Sequence, residues 1–267
     1  MIFNSSMPRS GSELIQVLLH QNPRIYGSAT SPLLEYQFAA RGNYDLPEVK
    51  SQEPEQQQDA FISMCKSMAE GYYAPITDRP IICDKNRGWA HYYEWVAQWN
   101  PDPKMICCVR DIRSIIASME RVYRANRHRP SGTDNPAKME GMTVMQRADY
   151  WLNTQPIGLA LQRTQDTWLR GIGEKIHWVR YEDLCTSPQA AMDRIYDYIG
   201  EPSIEHDFEN IHKEVYEDDS VYGIYGSHKV GSTIRPVKPS DWSDVLPAEV
   251  ANNIAQQWAW YQSTFNY

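Results

Sequence analysis

The sequence predicts an α/β fold: a single domain whose central, mostly parallel sheet is flanked by helices. Three observations lead there. Short apolar runs at residues 1–3, 80–85, 104–109 and 175–180 read as buried strands. The segments between them carry apolar positions three and four apart, the spacing of amphipathic helices. Neither an internal repeat nor a linker interrupts the alternation, so residues 1–267 are expected to form one domain. Strands alternating with helices imply a parallel sheet covered on both faces.

Each element has its own signal. After the strand at 1–3 come Asn4, Ser5 and Ser6, then the turn Pro8-Arg9-Ser10-Gly11-Ser12. Leu14, Ile15, Val17, Leu18 and Leu19 follow at helical spacing. Residues 23–27 read as a short strand or turn, after which Ser31 caps a helix with Pro32 at its first position. Residues 41–60 are a polar excursion leading into a helix over about 54–72. The strand at 80–85 ends in Asp84-Lys85, and a Trp- and Tyr-rich helix spans 89–99. The strand at 104–109 runs into Arg110-Asp111, and Ile112, Ile115, Ile116, Met119, Val122 and Tyr123 then share one helix face. Residues 127–142 form a long polar loop of the length often used for lids. A helical region at 143–170 is divided or kinked at Pro156. The strand at 175–180 ends in Tyr181-Glu182-Asp183-Leu184, and Ser187-Pro188 opens another helix. Residues 222–244 read as loop, and a last helix from Pro247 aligns Val250, Ile254, Trp258 and Tyr261.

Composition bounds the function. Hydrophobic residues make up 42 % and charged residues 22 %, as in ordinary globular proteins. A net charge of −8 argues against a broad nucleic-acid-binding face. No apolar run is long enough to span a membrane, and the N-terminus lacks a signal peptide. Cys65, Cys83, Cys107, Cys108 and Cys185 form no C-x-x-C pair, so reduced thiols are expected and neither disulfides nor a metal site. A cytoplasmic protein without membrane or nucleic-acid partners is the expectation.

Ligands of parallel α/β sheets sit at the carboxyl ends of the strands. Four strands end there in Arg9, Lys85, Arg110 and Tyr181. The first turn, between a strand and a helix, exposes backbone N–H groups at the positive end of that helix, an anion site most often used for phosphate. Arg9 adds a cation able to grip two oxygens, and Gly11 permits close approach. The same residues also suit an ordinary turn capped by Ser10 or Ser12.

Four segments in this order resemble the sulfotransferase family, whose members use 3′-phosphoadenosine 5′-phosphosulfate (PAPS), and look closest to the tyrosylprotein sulfotransferases and their bacterial relatives. Pro8-Arg9-Ser10-Gly11-Ser12, with Glu13 after it, is similar to the family's 5′-phosphosulfate loop. Lys85 stands at that branch's strand-ending lysine. Arg110 followed by Ser118 matches the 3′-phosphate motif, and Tyr181 matches a tyrosine near the nucleotide. The resemblance implies a P-loop-containing fold. It also implies in-line transfer of a sulfuryl group from PAPS to a hydroxyl, leaving 3′-phosphoadenosine 5′-phosphate (PAP), with no metal. Lys85 and Arg9 would neutralise the leaving group. A small-molecule, glycan or peptide hydroxyl would be the acceptor.

The chain departs from the pattern in four places. Glu13 stands where relatives carry Ser or Thr, so its carboxylate is expected to point away and only its N–H to serve. Tyrosylprotein enzymes place a glutamate base just after the Gly that follows the first helix. Aligned on Gly27, this chain has Ser28 and Ala29, and Glu35 is the nearest carboxylate able to act as the base. Arg87 occupies the position where the small-molecule enzymes carry a histidine, and His20 and His91 are lesser candidates. In the C-terminal loop Ser227 and Lys229 are the expected nucleotide contacts, with Ser232, Arg235 and Lys238 also available, and Asp241 replaces a lysine before Trp242. Two other readings remain open at this stage. One is a P-loop kinase with Asp84 on magnesium, although Gly-Lys-Ser/Thr is missing from the first loop. The other is a nucleotide-binding protein without catalysis.

Overall fold

The computed structural model describes residues 1–128, 139–225, 230–238 and 240–267. Five parallel strands lie in the order β2-β3-β1-β4-β5: β1 (Ile2–Asn4), β2 (Ile25–Thr30), β3 (Ile81–Lys85), β4 (Lys104–Val109) and β5 (His177–Arg180). The four strands expected from apolar runs are present. The fifth, β2, extends the short run at 23–27 to Thr30 and takes one edge of the sheet. Its far half is small and polar for local reasons: a Cβ at Gly27 would collide with the Gln16 carbonyl oxygen, and Ser28 Oγ accepts the Lys85 N–H at 2.9 Å.

Alternation along the strands sorts side chains to two faces. Ile2, Ile106 and Cys108 join α1 (Ser12–His20) and a later helix through Leu14, Leu18, Met192 and Ile195. Phe3, Met105 and Cys107 point the other way, into Trp89, Trp99, Cys65 and Tyr73. The five cysteines are buried and free, placed as small apolar residues.

The remaining helices follow the chain order. α2 (Leu33–Arg41), α3 (Pro47–Lys50) and α4 (Pro54–Tyr73) fill the excursion before β3. The aromatic segment after it is a 3₁₀ turn at Trp89–Tyr92 followed by α5 (Tyr93–Trp99). α6 (Ile112–Asn126) follows β4, and the region divided at Pro156 forms α7 (Val144–Asn153) and α8 (Ile157–Leu169). After β5 come α9 (Tyr181–Thr186) and α10 (Pro188–Ile199), and the chain closes on α11 (Ala248–Gln257) and α12 (Ala259–Phe265), divided at Trp258. Helices α6, α7, α8, α11 and α12 share a third apolar cluster that includes Met7 and Val109. The expected loop at 127–142 falls largely outside the described residues. Among the described residues no helix is long and apolar enough to cross a membrane.

β1 lies between β3 and β4, so the chain crosses from one half of the sheet to the other around it. That is the topological switch point at which parallel sheets open a crevice. Pairing with β4 continues past Asn4, since Ser5 N–H reaches the Ile106 carbonyl at 2.8 Å and Met7 N–H the Cys108 carbonyl at 2.9 Å. The turn at 8–12 therefore begins from a chain already fixed above the strand ends.

One buried ion cluster joins helices α6 and α7. Glu120 is fully buried and receives Arg147 Nε at 2.7 Å and Nη2 at 2.6 Å, with Arg124 Nε at 2.7 Å one turn away. Burial would raise the Glu120 carboxyl, but the two arginines hold it below its ordinary value. A carboxylate depressed on folding stabilises the protein above its unfolded pKa, and the contribution is lost as pH falls through the folded one. Glu120→Ala should therefore cost about 3–5 kcal/mol in urea unfolding at pH 7 by stranding Arg147, with the difference from wild type shrinking in acid.

Candidate functional site

The turn between β1 and α1 is held by buried small polar groups. Ser10 Oγ donates to the carbonyls of Met7 at 2.6 Å or Cys108 at 2.8 Å. Asn4 Nδ2 donates to the Ser12 carbonyl at 3.1 Å, and Ser6 Oγ accepts the Cys108 N–H at 2.7 Å. Two residues turn left-handed, Arg9 at φ 59° and Gly11 at φ 96°. With Gly11 as the preceding residue, α1 starts without any side-chain cap, so the N–H groups of its first turn face the cleft. Neither Ser10 nor Ser12 caps the helix. The Ser10 hydroxyl is spent on the scaffold, and what it offers a ligand is its backbone.

A cleft opens above this turn, lined by Arg9, Gly11, Ser12, Glu13, Arg110, Ser118 and Tyr181 among others. These come from the ends of β1, β4 and β5 and from α6. Arg9 Nε donates to Ser118 Oγ at 3.2 Å, across the first loop to the second turn of α6. The Arg110 guanidinium lies 4.5 Å from the Tyr181 ring centroid, donates from Nη1 to the Arg9 carbonyl at 3.2 Å, and leaves Nε buried without a partner. Its Nη2 meets Asp241 Oδ2 at 2.6 Å. Burial lowers the Arg9 pKa, and the nearby Arg110 and Arg87 charges lower it further. Two guanidinium groups that repel each other, Arg9 half-buried and Arg110 buried, form with the uncapped helix start a field that favours an anion.

Lys85 ends β3 on the other side of β1, and its ammonium is not exposed to solvent. It meets Glu13, and Glu217 Oε2 at 3.3 Å. Lys213 Nζ bridges the same two carboxylates, at 2.7 Å from Glu13 and 3.0 Å from Glu217. Each glutamate thus touches both lysines, in a closed ring of alternating charge. Glu13, expected to turn away from the anion site, still lines the cleft, and its carboxylate engages the lysine expected to serve the leaving group.

The other sequence-derived candidates fall into place around this frame. Glu35 is exposed on α2, and Asn86 Nδ2 donates to its carboxylate at 2.9 Å. Arg87 is exposed and borders a separate small pocket with Ser5, Met7 and His91. His20 Nδ1 accepts the Gly27 N–H at 3.2 Å while Nε2 faces Glu214 at 3.2 Å, and His91 faces Asp166 at 3.1 Å, so both are engaged away from the cleft. Pro8 is buried in the turn. Ser227 and Lys229 lie outside the described residues. From the C-terminal loop Arg235 lines the cleft together with Val230, Gly231, Thr233 and Ile234. Asp84 is fully buried, its oxygens accepting from Tyr73 Oη and Trp89 Nε1, each at 2.6 Å. That carboxylate serves the core beneath the sheet and not a magnesium ion in the cleft. Lys213 and Glu217 were not found from the sequence. Their only local signal is an opposite-charge pair four residues apart, common on any exposed surface.

The sulfotransferase family model matches residues 2–205. Among solved structures, the sulfotransferase domain from the curacin biosynthetic pathway is 19 % identical, with 97 % of each chain covered and a TM-score of 0.55. The sulfotransferase domain of the Synechococcus PCC 7002 olefin synthase is 21 % identical over 97 % of this chain and 94 % of that one, also with a TM-score of 0.55. The sulfotransferase STF9 from Mycobacterium avium is 17 % identical over 99 % and 76 %, with a TM-score of 0.50. At these identities the likeness to the solved structures speaks for the fold. A search of curated proteins found no significant match.

At Gly11 both space and backbone conformation require glycine. A Cβ there would lie 2.5 Å from the Tyr181 ring, on a backbone at φ 96°. Gly11→Ala should lower stability by roughly 1–3 kcal/mol in thermal unfolding and displace Tyr181 from the cleft.

Proposed function

The chain belongs to the sulfotransferase family, and on that premise we propose that its donor is PAPS and its acceptor the hydroxyl of a small molecule, glycan or peptide. One observation carries the donor assignment. Two guanidinium groups, Arg9 and Arg110, border a single cleft at the uncapped start of α1, and one of them keeps a buried Nε without a partner. A ligand phosphorylated at both ends of its ribose needs two cationic stations. Arg9 with the N–H groups of Gly11, Ser12 and Glu13 suits the 5′-phosphosulfate. Arg110 Nε suits the 3′-phosphate, with Ser118 beside it and the Tyr181 ring as a floor.

The chemistry follows from charge. In-line displacement at sulfur builds negative charge on the oxygen that leaves with the 5′-phosphate, much as phosphoryl transfer does. Lys85, projecting from the end of β3 beside the loop, is the cation suited to meet that oxygen. A kinase reading is disfavoured by the buried, core-facing Asp84 and by the loop's lack of a lysine. An inert nucleotide binder would have the same Arg9 and Arg110, but would not need Lys85.

Calorimetry should show binding of PAP without magnesium and in preference to ADP. Arg110→Ala should weaken it about 10- to 100-fold, as expected for one charge-assisted contact pair. Asp241→Asn should tighten it up to about tenfold, because the carboxylate that shares Arg110 repels a 3′-phosphate. Transfer of label from PAPS to a panel of hydroxyl compounds should be lost in Lys85→Ala. Equal affinity for PAP and adenosine 5′-monophosphate would sink the 3′-phosphate assignment.

A further inference from the structure

The strand order works as a ruler across the cleft. Tyr181 follows β5, Arg110 follows β4, the anion loop follows β1, Lys85 ends β3 and Thr30 ends β2. With the nucleotide over β5, β4 and β1, and the transferred group at Lys85, the acceptor must arrive from the β2 side, because in-line displacement puts it opposite the leaving oxygen. Its proton needs a carboxylate at that end, close to Lys85. From this placement, and resting on the PAPS reading above, we infer that Glu217 is the general base that deprotonates the acceptor hydroxyl.

Glu13 and Glu217 contact Lys85 and Glu35 is the base expected from the sequence, and geometry separates the three. Glu13 belongs to the first turn of α1, the donor side, where it spans Lys85 and Lys213. Glu35 is exposed and held by Asn86. Glu217 approaches from the β2 end, with Oε2 3.3 Å from Lys85 Nζ and Oε1 accepting the Thr30 N–H at 3.2 Å. The Tyr222 hydroxyl, 3.3 Å from the same oxygen, fixes it from its own segment. The side chains of Lys85, Glu13 and Glu217 are 9, 11 and 7 % exposed, so their charges act on each other with little solvent screening. Tyr216 and Val221, on either side of Glu217 in sequence, are 85 and 61 % exposed, so apolar surface open to an acceptor lies beside it along the chain.

The step balances as follows. The acceptor oxygen forms a bond to sulfur as the bond from sulfur to the 5′-phosphate oxygen breaks. The bonding pair leaves on that phosphate oxygen, which Lys85 neutralises, and the hydroxyl proton passes to Glu217. Lys85 must turn from Glu217 toward the donor for this to happen. In the free protein burial would raise the Glu217 carboxyl, but Lys85, the Thr30 side chain and Lys213 hold it well below its ordinary range. Loss of Lys85 as a partner raises its proton affinity when the donor is in place, while Lys213, bonded to Glu13 as well, keeps it oriented.

The test is Glu217→Gln, together with Glu217→Gln/Lys213→Met, which restores charge balance in the ring. Three quantities are measured: melting temperature, PAP affinity by calorimetry, and kcat against pH for transfer from labelled PAPS to the acceptor that the hydroxyl panel yields. A base role predicts that Glu217→Gln lowers kcat about 10²- to 10⁴-fold and removes the acid limb of the profile, with PAP affinity within about threefold of wild type. Any loss of melting temperature should be recovered in the double variant, but kcat should not. A kcat within about threefold of wild type in Glu217→Gln, or its recovery in the double variant, would overturn the assignment. Failure of the wild-type protein itself to bind PAP would instead bring down the donor reading on which the inference rests.

Discussion

Buried cations must be paired to be tolerable, and this constraint shapes the upper rim of the sheet. Leaving a buried ammonium or guanidinium unpaired costs several kcal/mol. Arg110 is met by Asp241, and Lys85 and Lys213 by Glu13 and Glu217. Each carboxylate comes from a different part of the chain: the first turn of α1, the segment after α10, and the stretch before α11. Closing these pairs ties the C-terminal third of the molecule to the strand ends. Tyr261 adds to this from α12 by donating to the Arg110 carbonyl at 3.0 Å.

The same rim depends on the narrow space between β1 and β4. The loop at 8–12 leaves no room for larger residues: Asn4, Ser6 and Ser10 are buried and hydrogen-bonded to the backbone within it. Their small size lets the chain reverse above β4, and their polar atoms satisfy carbonyl and N–H groups that water cannot reach. Serine in this loop therefore has two duties. Ser10 holds the loop down, while Ser12 remains on the cleft wall. Sequence alone treats the two alike, since both are small polar residues flanking a glycine.

What could be read from the sequence was what is local. Apolar runs and their charged ends placed Arg9, Lys85, Arg110 and Tyr181 at strand termini, and a parallel sheet brings strand termini together. Ser118 was reachable only through the resemblance to the family's 3′-phosphate motif, and the structure brings it to the cleft beside Arg9. β2 was only half legible, since Gly27 to Thr30 has neither the apolar run nor the alternation of a strand and is held by pairing with β3. Glu217 and Lys213 were not legible, because their meaning depends on contacts with residues more than a hundred positions away. Asp241 was noticed as a departure from the family pattern, but its pairing with Arg110 is a tertiary fact.

The pairing also bears on selectivity. A ligand with one phosphate can take Arg110 from Asp241 or draw Lys85 from its ring, but not both. In either case it gains one set of charge-assisted contacts and leaves a carboxylate that has lost its partner in a poorly solvated place. A ligand with anionic groups at both ends gains at both stations from a single immobilisation, so the entropy of binding is lost once for two exchanges. Internal carboxylates thereby act against the wrong anions as much as they stabilise the empty cleft, which is how discrimination by unpaired charge operates. On this view Glu13 is part of the site itself. On the proposed donor reading it would hold Lys85 until a donor able to replace both partners arrives.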